Sequence, residues 1–437
     1  MEFTCFSLNP IGMAHCGNAL STNRAGGVGV LDLEFCRDNQ LDLAQENLDK
    51  LLELSSLPGG VGLRLKAEQI IARESLLTKI SQLFHWLIVS GENLELLQFL
   101  PESPKRRLLL EITDINQLEV IKNSCKKVEI AGLVARGNES GGWVSEDAAF
   151  ILAQKLLAKQ SLPVIVQGGI GVSTAAACRA AGALGVVLDD QLWLMPESPL
   201  PREWQQYLTN LSGSEAVLIG ERLNARCRVL SRPGFAVINK LQQLAEQVDQ
   251  QPDLAKNWQK QARSLIGWGT PGEIAYPIGQ AVSMALRLKD RCQTTGKLVQ
   301  AILQASLEQI TTAHSLQPLG INSPLAIAHK TQYPIVQGPM TRVSDTAEFA
   351  NAVSLAGGLP LLALALMKGE QVKELLAKTR QLLGQRSWGV GLLGFAPIAL
   401  KAEQIKEISQ NKPSFALIAG GSVKCQGYSV SRQVIVG

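Results

Sequence analysis

Eight short apolar runs recur between residues 4 and 188, with helix-patterned stretches in the gaps, and no other feature narrows the fold so far. The runs are 4–8 (TCFSL), 28–32 (VGVLD), 60–65 (GVGLRL), 86–89 (WLIV), 107–112 (RLLLEI), 128–134 (VEIAGLV), 162–167 (LPVIVQ) and 184–188 (LGVVL). Helical patterns lie between them, for instance at 39–54, 67–82, 145–159 and 173–181. Strands that are apolar without alternation suit a parallel sheet covered on both faces. Eight strand–helix units in about 200 residues point to an α/β fold, a (β/α)8 TIM barrel, over residues 1–201. A doubly wound open sheet is the competitor, because pattern alone does not show closure.

Residues 202–330 read differently. They are polar, helix-patterned and strand-poor, as in "VINKLQQLAEQVDQ" and "TGKLVQAILQASLEQITTAHSL". This predicts a helical connector, broken by Gly-Trp-Gly-Thr-Pro-Gly at 267–272. The barrel pattern then restarts over 331–437. Gly27 and Gly358 lie in similar stretches, "RAGGVGVLDL" and "LAGGLPLLAL", at an offset of 331 residues. Gly62 to Gly391 and Gly91 to Gly420 are both offset by 329. A near-constant offset across three strand–turn elements marks a repeat. The second copy is expected to be an incomplete half-barrel of four strands, with an open edge. That is the pattern of a truncated piece of something longer. Its end, "KCQGYSVSRQVIVG", reads as an off-pattern tail, as after a frame change.

With 46% apolar and 18% charged residues, the chain can bury a core. A net charge of +4 without a basic block gives no case for nucleic acid. The eight cysteines form no CxxC pair and no Cys/His cluster, so no metal site is expected. Free thiols and the lack of a signal pattern fit the cytoplasm. The longest apolar run, Leu359 to Met367, falls short of the roughly 20 residues that span a membrane.

The strongest chemical motif is "VIVQGGIGVSTAAA" (164–177). A strand ends at Gln167, two glycines turn the chain, and Ser173 or Thr174 opens an alanine-rich helix. Main-chain N–H groups of Gly168 to Gly171, beside a helix N-terminus, make an anion site. The loop follows the seventh run, and phosphate sites in such barrels form after the seventh and eighth strands. After the sixth run, "VARGNESGGWVSE" (134–146) supplies Gly137, Gly141 and Gly142, which permit close backbone contact, and Glu139, its one carboxylate before the helix. Glu139 acts as a base only if burial raises its pKa, and otherwise caps locally. Trp143 either stacks on a ligand ring or covers a core edge. Asp189-Asp190 is either a carboxylate pair or a solvated strand end. No GxSxG or HExxH motif occurs, and the four histidines stand alone in the sequence.

"VARGNESGGWVSE", "LPVIVQGGIG", "AGALGVVLDD" and "YPIVQGPMTRVSD" together resemble the nitronate monooxygenase family, formerly 2-nitropropane dioxygenases. The likeness is greatest to the tandem copies at the N-terminus of bacterial modular polyketide synthases. The resemblance implies an FMN-binding oxidoreductase. By position it implies a phosphate loop at Gln167, Gly168, Gly169 and Ile170, with Gly185 and Val186 as its partner. Gly137, Glu139, Gly141 and Gly142 match the loop that lies along the flavin. Gln337, Gly338, Pro339 and Met340 match the motif that faces the flavin ring, but they fall in the incomplete copy. Two departures stand out. The family's catalytic histidine place holds Trp143, so the catalytic residues are unknown. The complete copy has "SLNPIGM" (7–13) where the ring-facing motif belongs.

Two functions follow from the resemblance. One is flavin-dependent oxidation of a nitronate or reduction of an enoyl thioester. The other is a catalytically degenerate docking or scaffold module, with other synthase domains or an acyl carrier protein as partners.

Overall fold

The structure is a computed structural model, which describes residues 2–55, 59–81, 85–91, 93–103, 105–124, 128–223, 225–247, 252–420 and 434–436. It contains two compact units, Met1–Ile310 and Thr311–Gly437.

In the first unit the strands are, in chain order, β1 (Thr4–Leu8), β2 (Val28–Asp32), β3 (Gly60–Lys66), β4 (Trp86–Ser90), β5 (Arg107–Ile112), β6 (Gly132–Arg136), β7 (Gly142–Trp143), β8 (Val164–Gln167) and β9 (Gly185–Leu188). All but β7 close into a parallel barrel, with β9 hydrogen-bonded back to β1. Closure excludes the open sheet. The sixth run pairs only from Gly132 onward, four residues later than its apolar pattern begins.

The barrel interior is filled by Phe6, Val30, Trp86, Ile88, Leu109 and their neighbours. Phe6 meets Trp86 edge to face at 5.1 Å. A side chain at Gly60 would crowd the Trp86 indole at 3.0 Å, and one at Gly62 the Trp86 carbonyl at 2.9 Å, so Gly60 makes room for the ring and Gly62 for the backbone of β4. The strands' outward side chains form a larger core with the surrounding helices, including Leu41–Leu54 and Ala149–Lys159.

The stretch expected to be helical holds two strands as well. β10 (Ala216–Ile219) and β11 (Cys227–Leu230) form an antiparallel hairpin, and β11 pairs with β7, Cys227 opposite Trp143. Residues 202–310 cluster with the barrel. Together with Ile11, Phe35, Trp193 and Leu194 from loops at the strands' C-terminal ends, they build a second hydrophobic core.

In the second unit β12 (Val336–Gln337), β13 (Leu359–Ala363), β14 (Gly389–Leu393), β15 (Phe415–Ala419) and β16 (Val434–Val436) form one parallel sheet. The repeat is structural. β13 starts 331 residues after β2, and β14 and β15 start 329 after β3 and β4. Leu359, Leu361 and Phe415 pack where the offset places Val28, Val30 and Trp86 of the first copy. Gly389, like Gly60, lies against the ring-bearing strand: a Cβ there would meet Phe415 at 2.7 Å. Large apolar side chains stay exposed at this sheet's C-terminal loops, among them Met340, Val343, Phe395 and Ile398. Of the ending read as a tail, 424–433 and 437 lie outside the described residues.

Candidate functional site

The barrel's C-terminal mouth is closed by charge. Asp32, Arg64, Glu111 and Arg136 stand near the ends of β2, β3, β5 and β6, and the register brings Asp32 opposite Arg64. Arg64 bonds Asp32 Oδ2 at 2.8 Å, Glu34 Oε2 at 2.7 Å and Glu111 Oε2 at 2.6 Å. Arg136 bonds Glu34 Oε2 at 3.0 Å and Glu111 Oε1 at 2.8 Å, and it donates to the Gly141 carbonyl. Asn9 accepts from the Asp32 amide, and Ser90 donates to Glu34 Oε1. Both guanidinium groups have zero exposure. Burial alone would raise the Glu34 carboxyl, but Arg64 and Arg136 together hold it at about 2. Burial raises Asp32 above the usual carboxylate range, with Arg64 opposing.

Asp189 and Asp190, which follow β9, are buried and not a solvated strand end. Asp189 Oδ2 accepts from the Gln167 side chain at 3.1 Å, and Asp190 Oδ2 accepts from the Gly279 amide at 2.8 Å. Burial raises Asp189, and burial plus the Asp189 charge raises Asp190 well above its ordinary value. Gly279 belongs to a strap, residues 275–284, that crosses the mouth. Its Gln280 amide bonds the Glu139 carbonyl at 2.8 Å. A Cβ at Gly141 would lie 2.7 Å from the Pro277 carbonyl, and one at Gly279 would lie 2.5 Å from the Glu139 carbonyl. The strap and the loop after β6 are in backbone contact.

Each residue expected at a flavin can now be placed. Gly168 (φ +123°) and Gly169 (φ +62°) take the left-handed turn that glycine permits. Among the described residues, the amides of Gly168, Gly169, Ile170 and Gly171 donate to no acceptor. They precede the helix Val172–Ala180, and Ser140 Oγ, buried and without a partner among the described residues, lies beside Gly168. These are the donors that an anion cradle would use. Gly185 and Val186 pair with Ile165 and Val166, two to three residues below the loop, and Gln167 pairs with Val187, so the chain after β9 comes level with it. Gln167 turns its side chain to Asp189.

The loop after β6 serves packing. Glu139 Oε2 accepts from the Ala149 amide at 2.9 Å and so caps the helix Ala149–Lys159. A Cβ at Gly137 would strike that helix start at 2.2 Å. Gly142 (φ +75°) sits over Arg136 and the Phe35 ring. Trp143 covers a core edge: it pairs through β7, meets Trp258 edge to face at 6.1 Å, and has the Lys66 ammonium 5.2 Å from its ring centroid. In the second unit Gln337 bonds the Leu361 amide at 3.3 Å, while Gly338 and Met340 are exposed.

FMN asks two things of such a mouth, a cradle for its phosphate and a slot for its planar ring. The cradle fits in its donors, though two buried carboxyls stand at its level. The slot does not fit. The ion-pair cluster, Phe35 and the strap fill the mouth, and Arg64, Arg136, Asp190 and Gln191 have no exposed surface. The ionic cluster escaped notice in the sequence, although its signal was there: a charge near the C-terminal end of four apolar runs.

No family model matches the sequence, and no curated protein matches it. Solved structures do. FabK from Thermotoga maritima aligns with a TM-score of 0.55 and 19% identity over 71% of this chain and 94% of its own. The enoyl reductase domain of MlnA, from the macrolactin biosynthesis cluster of Bacillus amyloliquefaciens, aligns with 0.52 and 10% over 71% of this chain and 95% of its own. A nitroalkane oxidase from Streptomyces ansochromogenes aligns with 0.49 and 18% over 71% and 97%. At such identities the likeness is one of fold, and the chain contains the α/β-barrel architecture found in FabK and in the MlnA enoyl reductase domain.

Proposed function

We propose that the first unit is a barrel of the flavin-oxidoreductase type whose ring site has been closed over, and that it serves as a docking or scaffold module of a polyketide synthase. Other synthase domains or an acyl carrier protein are its partners. One observation carries this reading: the five-residue ion-pair cluster of Asp32, Arg64, Glu34, Glu111 and Arg136 is buried at the mouth, with every member bonded to another. Opening it would leave buried charges unpaired, at several kcal/mol each. The capping role of Glu139 and the strand role of Trp143 support it, because both side chains are committed to packing. Free, buried cysteines at all six described positions support a cytoplasmic location. No helix among the described residues is long and apolar enough to cross a membrane.

A second reading, an FMN-dependent oxidoreductase acting on a nitronate or an enoyl thioester, is supported by the unpartnered amides of Gly168 to Gly171 and by the orphaned Ser140 Oγ. That one solved neighbour is an enoyl reductase domain supports it too. In this reading the phosphate lies on Gly168 to Ile170. The visible spectrum of the purified chain, before and after addition of FMN, separates the two. Absence of flavin bands and of saturable uptake supports the closed barrel, whereas near-stoichiometric flavin supports the enzyme.

A further inference from the structure

Beside the closed mouth, at the C-terminal ends of β4, β5 and β6, a cleft of 630 Å³ opens between the loops 113–117 and 144–147. That rim is where barrels of this kind bind ligands, because loop residues there converge from several strands. Leu94, Val120 and Val144 give the cleft an apolar side. Two cations line it, and they differ in how they are held. Lys155 is gripped by both carboxylate oxygens of Asp147, at 2.6 and 2.8 Å. Arg226 has a side chain only 16% exposed, and it is paired at 3.1 Å with Glu146, whose side chain is 77% exposed. The remaining acid, Asp114, accepts from the Asn116 amide of its own loop at 2.9 Å.

The asymmetry at Arg226 decides what the cleft can take. The Arg226 side chain is largely enclosed. Its carboxylate partner is a solvated side chain with little to hold it, and a pair of that kind is worth under about 1 kcal/mol. A carboxylate brought by a ligand can replace Glu146 on the guanidinium, and an apolar other end adds burial along the cleft's apolar side. We propose that this cleft binds a monocarboxylate with an apolar tail, the carboxylate exchanging with Glu146 on Arg226 and the tail lying along Leu94, Val120 and Val144. The site stands apart from the flavin question, because none of its residues belongs to the cradle or the ionic cluster.

Isothermal titration of the full chain with sodium octanoate tests this. One saturable site is expected, with a dissociation constant of about 1 mM or tighter, the range open to a ligand of that size. Octanamide and acetate, which lack the charge and the tail respectively, should each bind at least roughly tenfold more weakly. Glu146→Gln should tighten octanoate binding several-fold, because it removes the competitor. Arg226→Gln should weaken it at least roughly tenfold. Val120→Ser, at an exposed position, should weaken octanoate but not acetate. The opposite signs at 146 and 226 are the signature, and Glu146→Gln with Val120→Ser keep the test alive if Arg226→Gln fails to fold. No saturable heat up to about 10 mM octanoate, or an affinity unmoved by Glu146→Gln and Val120→Ser, overturns the proposal.

Discussion

Replacing Arg64 with leucine should unfold the first unit more than any change at its surface. The guanidinium makes three ion pairs of 2.6 to 2.8 Å with carboxylates that are no more than 2% exposed. Without it, Arg136 is left to balance Glu34 and Glu111, and Asp32 loses its cation. Breaking a buried pair from one side costs about 3–5 kcal/mol. The same contacts show in the Glu34 carboxyl. Holding its carboxyl at about 2, against an ordinary 4.5, stabilises the fold by about 3 kcal/mol at neutral pH, and Arg64 is the larger cationic contributor. The sign follows from the depressed value: this stability is complete above 4.5 and is lost as pH falls from there toward 2. Urea unfolding of the full chain, followed by tryptophan fluorescence, is the assay, since six of the seven tryptophans lie in the first unit. The variant should lose about 3 kcal/mol or more at pH 7, and the loss should shrink below pH 4.5. A double change, Arg64→Leu with Glu111→Leu, should lose less than the single one, because fewer charges are stranded. A loss under about 1 kcal/mol at pH 7, or one that does not change with pH, would refute the closed ionic mouth.

Other outcomes follow from the same geometry. Asp190→Asn should match the native chain in stability near pH 4 and exceed it increasingly as pH rises, because the raised carboxyl contributes stability below 3.8 that is lost on the way up; a gap that narrows with pH in chemical denaturation would contradict this. Glu139→Ala should lower stability by about 1 kcal/mol through the lost helix cap, read by the same unfolding curve. Trp143→Ala should remove about 2 kcal/mol or more, and it should change the fluorescence of Trp258, its edge-to-face neighbour. Retention of full stability by either variant would mean that the loop after β6 is free for other work.

The sequence made the barrel legible because its strands are covered on both faces and so read as unbroken apolar runs. The repeat was legible because both Gly62 and Gly391 leave no room for a side chain, a Cβ meeting the Trp86 carbonyl of the next strand at 2.9 Å in the first copy and the Pro339 ring at 2.3 Å in the second, and so the two keep their spacing. The hairpin of β10 and β11 was not legible. Four residues carry too little period, and the hairpin's partner, Trp143, lies over 80 residues earlier. The turn at Gly168 and Gly169 could be read from its local glycines. The closure of the mouth could not, since it depends on long-range register: Asp32, Arg64, Glu111 and Arg136 are distant in sequence, and only the closed sheet sets them level. The acid pair at 189–190 shows the same limit, because solvation and burial give one local pattern and differ only in whether residues 275–284 lie above it.

The most direct measurement is flavin content. The purified full chain should be colourless, release no flavin on denaturation, and show no saturable quenching when FMN is titrated against it. Flavin bound at near one per chain, released when Gly169 is replaced by valine, would contradict a mouth sealed by Arg64, Arg136 and their carboxylates.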